Sequence, residues 1–291
     1  MDNPWTDWKP LSNWRPDFES LLETLDGGQA FRWNREEKHA FSGIIGKRMV
    51  RLRWNPPNRV HWSVASPPPD NPTQDLEAYF GNRETYQMLF DALPWRSDPH
   101  LQRCMAAFPQ LRILRQDPAE TLLCFLCSAT KQIVQIKDML ALLADRFGDP
   151  LPGGMKSLPS WAQLSSIPES ALRDCKMGFR ARNIKGTAQV LAENQHFISE
   201  VGRLPYPEAR EKLCQLPGVG EKVSDCVLLF GYGRLEAFPV DTWILKAMQR
   251  HYQLHDWSHR QVARFGRTHF GKSAGLAQQF LFSWERNHSR K

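Results

Sequence analysis

No stretch of this 291-residue chain approaches 18 uninterrupted apolar residues, and Met1-Asp-Asn-Pro-Trp-Thr-Asp-Trp8 carries acids where a signal peptide has an apolar core. Neither a membrane span nor secretion is expected, so the reading is of an intracellular protein with no membrane partner. A disulfide framework is equally out of place. The six cysteines, Cys104, Cys124, Cys127, Cys175, Cys214 and Cys226, are scattered along a chain without secretory features and read as free thiols. Cys124-x-x-Cys127 lacks a second ligand pair nearby and lies in the apolar run Thr121-Leu-Leu-Cys-Phe-Leu-Cys127, so it reads as buried helix and not as a metal site. Internal repeats, low-complexity tracts and a dominating run of Lys and Arg are also missing, which removes solenoids and basic tails. What remains is ordinary globular composition, 41% apolar and 24% charged, with a net charge of +7. That balance suits an anionic partner, with the positive field assembled in three dimensions.

The first hundred residues differ from the rest. Val50-Arg-Leu-Arg-Trp54 and Val60-His-Trp-Ser-Val64 alternate with period two around the turn Asn55-Pro-Pro-Asn58, a β-hairpin pattern. Phe41-Ser-Gly-Ile-Ile45 and Phe31-Arg-Trp33 extend it to a small antiparallel sheet that Ser66-Pro-Pro-Pro-Asp-Asn-Pro72 breaks off. Beyond Pro109 the period becomes helical: Ile133, Ile136, Leu140, Leu143 and Phe147 fall on one face, stopped by Gly148 and Pro150, and Leu276, Ala277, Phe280, Leu281 and Trp284 repeat the pattern. Further helices are expected near 168–175, 180–194, 206–215, 221–232, 241–253 and 258–270. The expected fold is α+β: an antiparallel sheet domain over 1–105, then an all-α domain over 106–291 with a helical hairpin at 206–232.

Within that hairpin, two amphipathic segments meet at Leu216-Pro-Gly-Val-Gly220. Gly218 and Gly220 permit a tight turn and let backbone N–H groups at the second helix's N-terminus approach a phosphate without reading sequence. A plain helix–helix turn accounts for the same residues. Lys222 falls in the first turn of the second helix, where the positive end of the dipole disfavours an ammonium, and a neutral amine there suits nucleophilic attack at a sugar C1′. A solvated surface lysine is the ordinary alternative. Asp241, in Phe238-Pro-Val-Asp-Thr-Trp-Ile-Leu245, precedes a helical run. It reads as an N-cap, and the same carboxylate facing a cleft would stabilise positive charge on a sugar as its glycosidic bond breaks.

These residues resemble the 8-oxoguanine branch of the helix-hairpin-helix superfamily of DNA glycosylases. Leu216-Pro-Gly-Val-Gly-Glu-Lys-Val-Ser-Asp-Cys226 and Pro239-Val-Asp241 are similar to its hairpin, lysine and aspartate. Gly28-Gln-Ala-Phe-Arg-Trp33, Arg112-Ile-Leu-Arg-Gln-Asp-Pro-Ala-Glu-Thr121 and Gly275-Leu-Ala-Gln-Gln-Phe-Leu-Phe282 match further motifs, and the likeness covers about residues 15–288. It implies a TBP-like sheet domain before the helical domain, and duplex DNA carrying an oxidised purine as partner of a monomer. Lys222 would form the imine with associated β-elimination, and Asp241 would support the attack. By the same resemblance the Gly28 carbonyl would read N7–H of 8-oxoguanine, Cys226 and Phe282 would sandwich the extruded base, and Gln278 would bond its Watson–Crick edge. Phe179 and Arg180, in Gly178-Phe-Arg-Ala-Arg182, would fill the duplex and contact the opposite base. No cofactor is required on this reading, and a monovalent cation on hairpin carbonyls is left open.

The chain departs from the pattern in three places. Thr130-Lys131-Gln132 stands where an Asn-rich turn is expected, and Thr130 and Lys131 are assigned to DNA contact. Gln135 replaces a second arginine, and Trp243 a histidine. Two rivals share the superfamily: a monofunctional alkylbase glycosylase, which needs no lysine, and the [4Fe–4S] branch, which carries four clustered cysteines after the catalytic region, where this chain has none beyond Cys226. A non-catalytic DNA-binding module is the rival from another class, and it has no need of the Lys–Asp pair.

Overall fold

The computed structural model describes residues 4–68 and 70–288, so residues 1–3, 69 and 289–291 of the two expected spans lie outside it. Val50–Trp54, Val60–Val64 and Phe41–Ile45 pair as expected, whereas Phe31–Trp33 lies outside the sheet, with the Trp33 ring packed on Tyr79 and Phe80, and the edge strand is Asn34–Glu37 instead. Strands β1 (Lys9–Pro10), β2 (Asn34–Glu37), β3 (Ala40–Ile45), β4 (Arg48–Asn55) and β5 (Arg59–Val64) form one antiparallel sheet in the order β1-β5-β4-β3-β2. Its register sets Val50 opposite Val64 and Leu52 opposite both Trp62 and Phe41. That apolar face is covered by α1 (Phe18–Asp26) and α2 (Pro72–Phe80), whose Leu21, Leu25, Leu76 and Phe80 are buried with Trp14 and Trp33 in one cluster.

The helical part comprises α3 (Arg83–Ala92), α4 (Pro99–Ala107), α5 (Pro118–Leu126), α6 (Ile133–Phe147), α7 (Trp161–Ser166), α8 (Glu169–Leu172), α9 (Arg180–Glu193), α10 (Phe197–Arg203), α11 (Tyr206–Cys214), α12 (Glu221–Phe230), α13 (Thr242–Tyr252), α14 (His259–Phe270) and α15 (Ala274–His288). Start signals sit where side-chain chemistry needs them: Asp117 caps α5 ahead of Pro118, Asp241 caps α13 and Ser258 opens α14 with a capping box. The six helices expected between residues 168 and 270 are all present, although the first is only α8 continued by a wide π turn over Arg173–Met177.

Packing divides the chain less simply than a cut at residue 105. Tyr86 of α3 and Leu101 and Cys104 of α4 lie in the helical core, while Leu114 lies in the sheet core. The segment between α4 and α5 stitches the two together. Arg112, 2% exposed, donates to the carbonyls of Phe80 (3.1 Å), Gly81 (2.6 Å) and Asn13 (2.9 Å), with its guanidinium over the Trp14 and Tyr86 rings. One planar cation thus satisfies three backbone acceptors from two segments, Asn13 and Phe80–Gly81, while stacking on two aromatic rings, a fixed geometry that a lysine ammonium does not reproduce. Arg112→Leu leaves those carbonyls without donors and is expected to cost about 3 kcal/mol or more, and Arg112→Lys less. Urea denaturation measures both, and equal stability of Arg112→Leu and wild type would contradict the role.

Candidate active site

Lys222 emerges from the start of α12. Gly220 precedes that helix as its N-cap, and no side chain caps it, so its first N–H groups keep their donor capacity. Gly218 adopts φ +79 and has no room for more: an added Cβ would lie 2.7 Å from Asn183. Gly220 faces open space, which suits approach of a backbone phosphate. The turn is anchored from behind by Thr187 Oγ1, which donates to the Pro217 carbonyl at 3.0 Å.

Lys222 Nζ lies 3.2 Å from Ser128 Oγ and 5.1 Å from the centre of the Phe125 ring. None of the ion pairs among the described residues includes it. Cys226 is one turn further along the same face of α12 and buried; burial pushes its thiol up to about 12, opposed chiefly by Lys222, so it stands as a neutral wall beside the amine. Asp241 performs the capping role read from the sequence, Oδ1 accepting from Ile244 N–H at 2.8 Å. Burial raises its carboxyl above the ordinary value, while the Ile244 N–H and then the Lys222 charge pull it down. Its approach is fixed by Phe238, fully buried against Phe270, with Gly266 leaving the space the ring needs.

A second group of residues faces this one. Gly28 has φ +99, and a Cβ there would sit 3.0 Å from Ile133 Cδ1 and 3.7 Å from Phe282 Cε1. Gln29 holds the Gly28 loop in place: its amide donates to the Arg112 carbonyl (2.8 Å) and its Oε1 accepts from Leu114 N–H (2.8 Å). Gln278 lies one turn before Phe282 on the same face of α15, and Gly275 lets that helix close on Leu229 of α12. The Gln278 Oε1 is buried and has no hydrogen-bond partner. A buried carboxamide oxygen left unpaired is costly in a protein at rest and suits a site that a ligand completes. The turn from Ser128 to Ile133 joins the two groups, meeting Lys222 at one end and Gly28 at the other.

Phe179 and Arg180 part company. The Phe179 ring is 58% exposed beside Gly178, whereas Arg180 is 3% exposed and spends its guanidinium on Ala129, Thr130 and Met177. Thr130 is exposed with φ 54, and Lys131 is half-buried beside it. Gln135 caps its own helix, its Oε1 accepting from Gln132 N–H at 3.2 Å, and Trp243 carries the Lys246 ammonium 4.8 Å from its ring centre. Sequence reasoning missed Ser128, Ile133 and the support behind α12, where buried Asp225 accepts from Tyr206 OH at 2.6 Å with Arg267 3.9 Å away. Only the tertiary fold joins these to the lysine. All six cysteines are free, Cys124 and Cys127 buried on and just after α5. Two further cavities, about 340 and 500 Å³, border Arg32 at the seam between sheet and helices, and neither is lined by Lys222, Asp241 or Gln278.

An antiparallel sheet domain feeding a helical domain, with a helix-hairpin-helix turn that leads into Lys222 and an aspartate capping the helix after it, is the architecture of the helix-hairpin-helix glycosylase class. Residues 17–122 match the family model "8-oxoguanine DNA glycosylase, N-terminal domain", and residues 123–270 match "HhH-GPD superfamily base excision DNA repair protein". Among curated relatives, the N-glycosylase/DNA lyase OGG1 of Arabidopsis thaliana is 30% identical over 94% of this chain and 79% of its own length. The N-glycosylase/DNA lyase of Saccharomyces cerevisiae is 31% identical over 80% and 68% respectively. The solved Clostridium acetobutylicum 8-oxoguanine glycosylase/lyase, in complex with dsDNA containing cytosine opposite 8-oxoG, superposes with a TM-score of 0.87 at 28% identity, covering 99% of this chain and all of that one. The chain belongs to the HhH-GPD superfamily of base excision DNA repair proteins, and within it to the branch with the 8-oxoguanine glycosylase N-terminal domain.

The network behind α12 yields a pH-dependent prediction. Burial raises the Asp225 carboxyl to about 6, with the Tyr206 hydroxyl foremost among the groups that oppose the shift. A carboxyl raised on folding is most costly when ionised, so its penalty is absent below the unfolded value near 3.8 and grows as pH rises through about 6. Tyr206→Phe removes a donor to the ionised form. It is expected to destabilise by about 1–3 kcal/mol at pH 8 and clearly less at pH 5; urea unfolding at the two pH values measures this, and an equal loss at both would contradict it.

Proposed function

We propose that this protein excises 8-oxoguanine from duplex DNA and then cuts the strand at the resulting site, as a bifunctional base excision repair glycosylase. The observation that carries the reading is the unpartnered Gln278 Oε1 buried on the face that Phe282 shares with Gly28, across the Ser128–Ile133 turn from Lys222. The relatives named above, glycosylases and lyases at 28–31% identity over most of their lengths, support it. Intracellular location with DNA follows from this function.

Duplex DNA settles on the uncapped start of α12, with Gly218 and Gly220 giving the phosphate access. Phe179 enters the stack as the damaged nucleotide turns out, and Thr130 and Lys131 flank the strand beside it. The extruded base lies against Phe282 with the Cys226 thiol on the other side, and Gln278 pairs its exposed edge. The carbonyl of Gly28 accepts from N7–H, a donor that 8-oxoguanine has and guanine lacks; guanine would present a lone pair to a lone pair there. Lys222, as the amine, bonds to C1′ while the C1′–N9 bond breaks and the base leaves with a proton. Asp241 steadies the positive charge on the sugar. Ring opening gives the imine, and loss of a C2′ proton then expels the 3′ phosphate. The nucleophile and its electrostatic partner are both side chains of this chain, and the proposal calls for no bound cofactor.

Release of 8-oxoguanine from a labelled duplex, beside duplexes carrying guanine and 3-methyladenine, tests the assignment. Rapid release of 8-oxoguanine alone is expected, whereas release of the alkylated base without strand cutting would favour the monofunctional reading. Gly28→Ala strains the backbone and pushes Ile133, so it is expected to lower 8-oxoguanine excision about a hundredfold while strand cutting at a preformed abasic site stays within about threefold. A second expectation concerns pH. Because burial raises Asp241, its carboxylate is lost on acidification earlier than an ordinary aspartate near 3.9, so the single-turnover rate falls on its acidic side above that value. Asp241→Asn is expected to slow the reaction about a hundredfold and abolish that limb; an unchanged pH profile would remove Asp241 from the chemistry.

A further inference from the structure

The turn between α5 and α6 touches both Lys222 and the corner that carries Phe179. On one side Ser128 Oγ accepts from Lys222 Nζ at 3.2 Å and gives its own proton to the Phe125 carbonyl at 2.7 Å, which fixes the hydroxyl with a lone pair toward the amine. On the other side the Ala129 carbonyl accepts from Arg180 Nε at 3.0 Å and again from Nη2, Thr130 Oγ1 accepts from Nη2 at 2.9 Å, and Nη1 reaches the Met177 carbonyl at 3.3 Å. The guanidinium also stacks 4.4 Å from the centre of the Phe179 ring. Thr130 sits at φ 54, a backbone region that β-branched residues rarely adopt and that neighbours must hold. Arg180 supplies that hold through a planar fork with fixed geometry, so its position sets the position of Ser128.

We propose that Arg180 and Ser128 are positioning residues for Lys222, linked through the Ser128–Thr130 turn, so that Arg180 acts on imine formation independently of any base opposite the lesion. The inference rests on the reading of Lys222 as nucleophile. A lysine amine on a four-carbon stem has wide rotational freedom, and an ångström of misplacement from a near-attack geometry costs up to about a hundredfold in rate. Ser128 narrows that freedom at the amine, and Arg180 narrows it one step back. An arginine that served only the opposite base would lose its influence once that base is removed. One that works through the turn keeps it.

The test uses the full chain and a duplex in which an abasic site faces a tetrahydrofuran spacer, so neither strand offers a base. The single-turnover rate of borohydride-trapped imine is measured at saturating protein for wild type, Arg180→Gln, Arg180→Lys, Ser128→Ala, Ser128→Thr and the Arg180→Gln/Ser128→Ala double variant. Either loss-of-contact variant is expected to slow trapping about tenfold, Arg180→Lys to behave like Arg180→Gln, and Ser128→Thr to stay within about threefold of wild type. The double variant is expected to be no slower than the slower single one, because both act on one path. Wild-type trapping by Arg180→Gln on the spacer duplex, with slowing only when cytosine is opposite, overturns the proposal, and so do multiplicative losses in the double variant. If circular dichroism shows that Arg180→Gln does not fold, Thr130→Ala, which removes one acceptor of the fork, replaces it with an expected loss of about threefold. Absence of any adduct from wild type would instead overturn the nucleophile reading itself.

Discussion

The proposed chemistry depends on holding one flexible lysine side chain with no carboxylate in contact. Lys222 has no ion-pair partner among the described residues; a hydroxyl, an aromatic face and a neutral thiol surround it instead. A paired lysine would be a poor nucleophile, and an unconstrained one would seldom point at its target. The protein resolves this by keeping Asp241 close enough to act through its field while committing Oδ1 to the Ile244 N–H. Capping by Asp241 and its proposed charge stabilisation thus fall to one carboxylate.

The rest of the fold serves that arrangement from a distance. Arg112 and Gln29 lock the Gly28 loop of the sheet domain onto the chain that enters α5, so the two ends of the Ser128–Ile133 turn face fixed walls. Tyr206, with Arg267 nearby, holds α12 through Asp225. The hairpin at Gly218 and Gly220 keeps its donors free by leaving α12 uncapped, which is tolerable only where solvent or a phosphate takes the place of a side chain.

Much of this was legible in the residues. The period-two alternation around Asn55–Asn58 located the sheet because its buried face is continuous, and the period of 3.6 after Pro109 located the core helices for the same reason. Lys222, Asp241 and the glycines of the hairpin stood out because their chemistry is local: a helix start, a cap, a positive φ. The sequence points to Arg180 as a DNA contact, whereas its guanidinium is turned inward on Ala129, Thr130 and Met177. Ser128 carried no local sign, since its relation to Lys222 spans 94 positions and exists only when α5 packs on α12. The sheet and helical cores likewise exchange Tyr86 and Leu114 across any single boundary, and Phe90 of α3 packs on Phe280 of α15, 190 positions away.

Peptide mapping of the borohydride-reduced adduct formed on an 8-oxoguanine duplex tests the central claim most directly. The account predicts a deoxyribose remnant on Lys222 and no adduct from Lys222→Gln. A remnant on another lysine, or release of the base with no adduct at all, would contradict it.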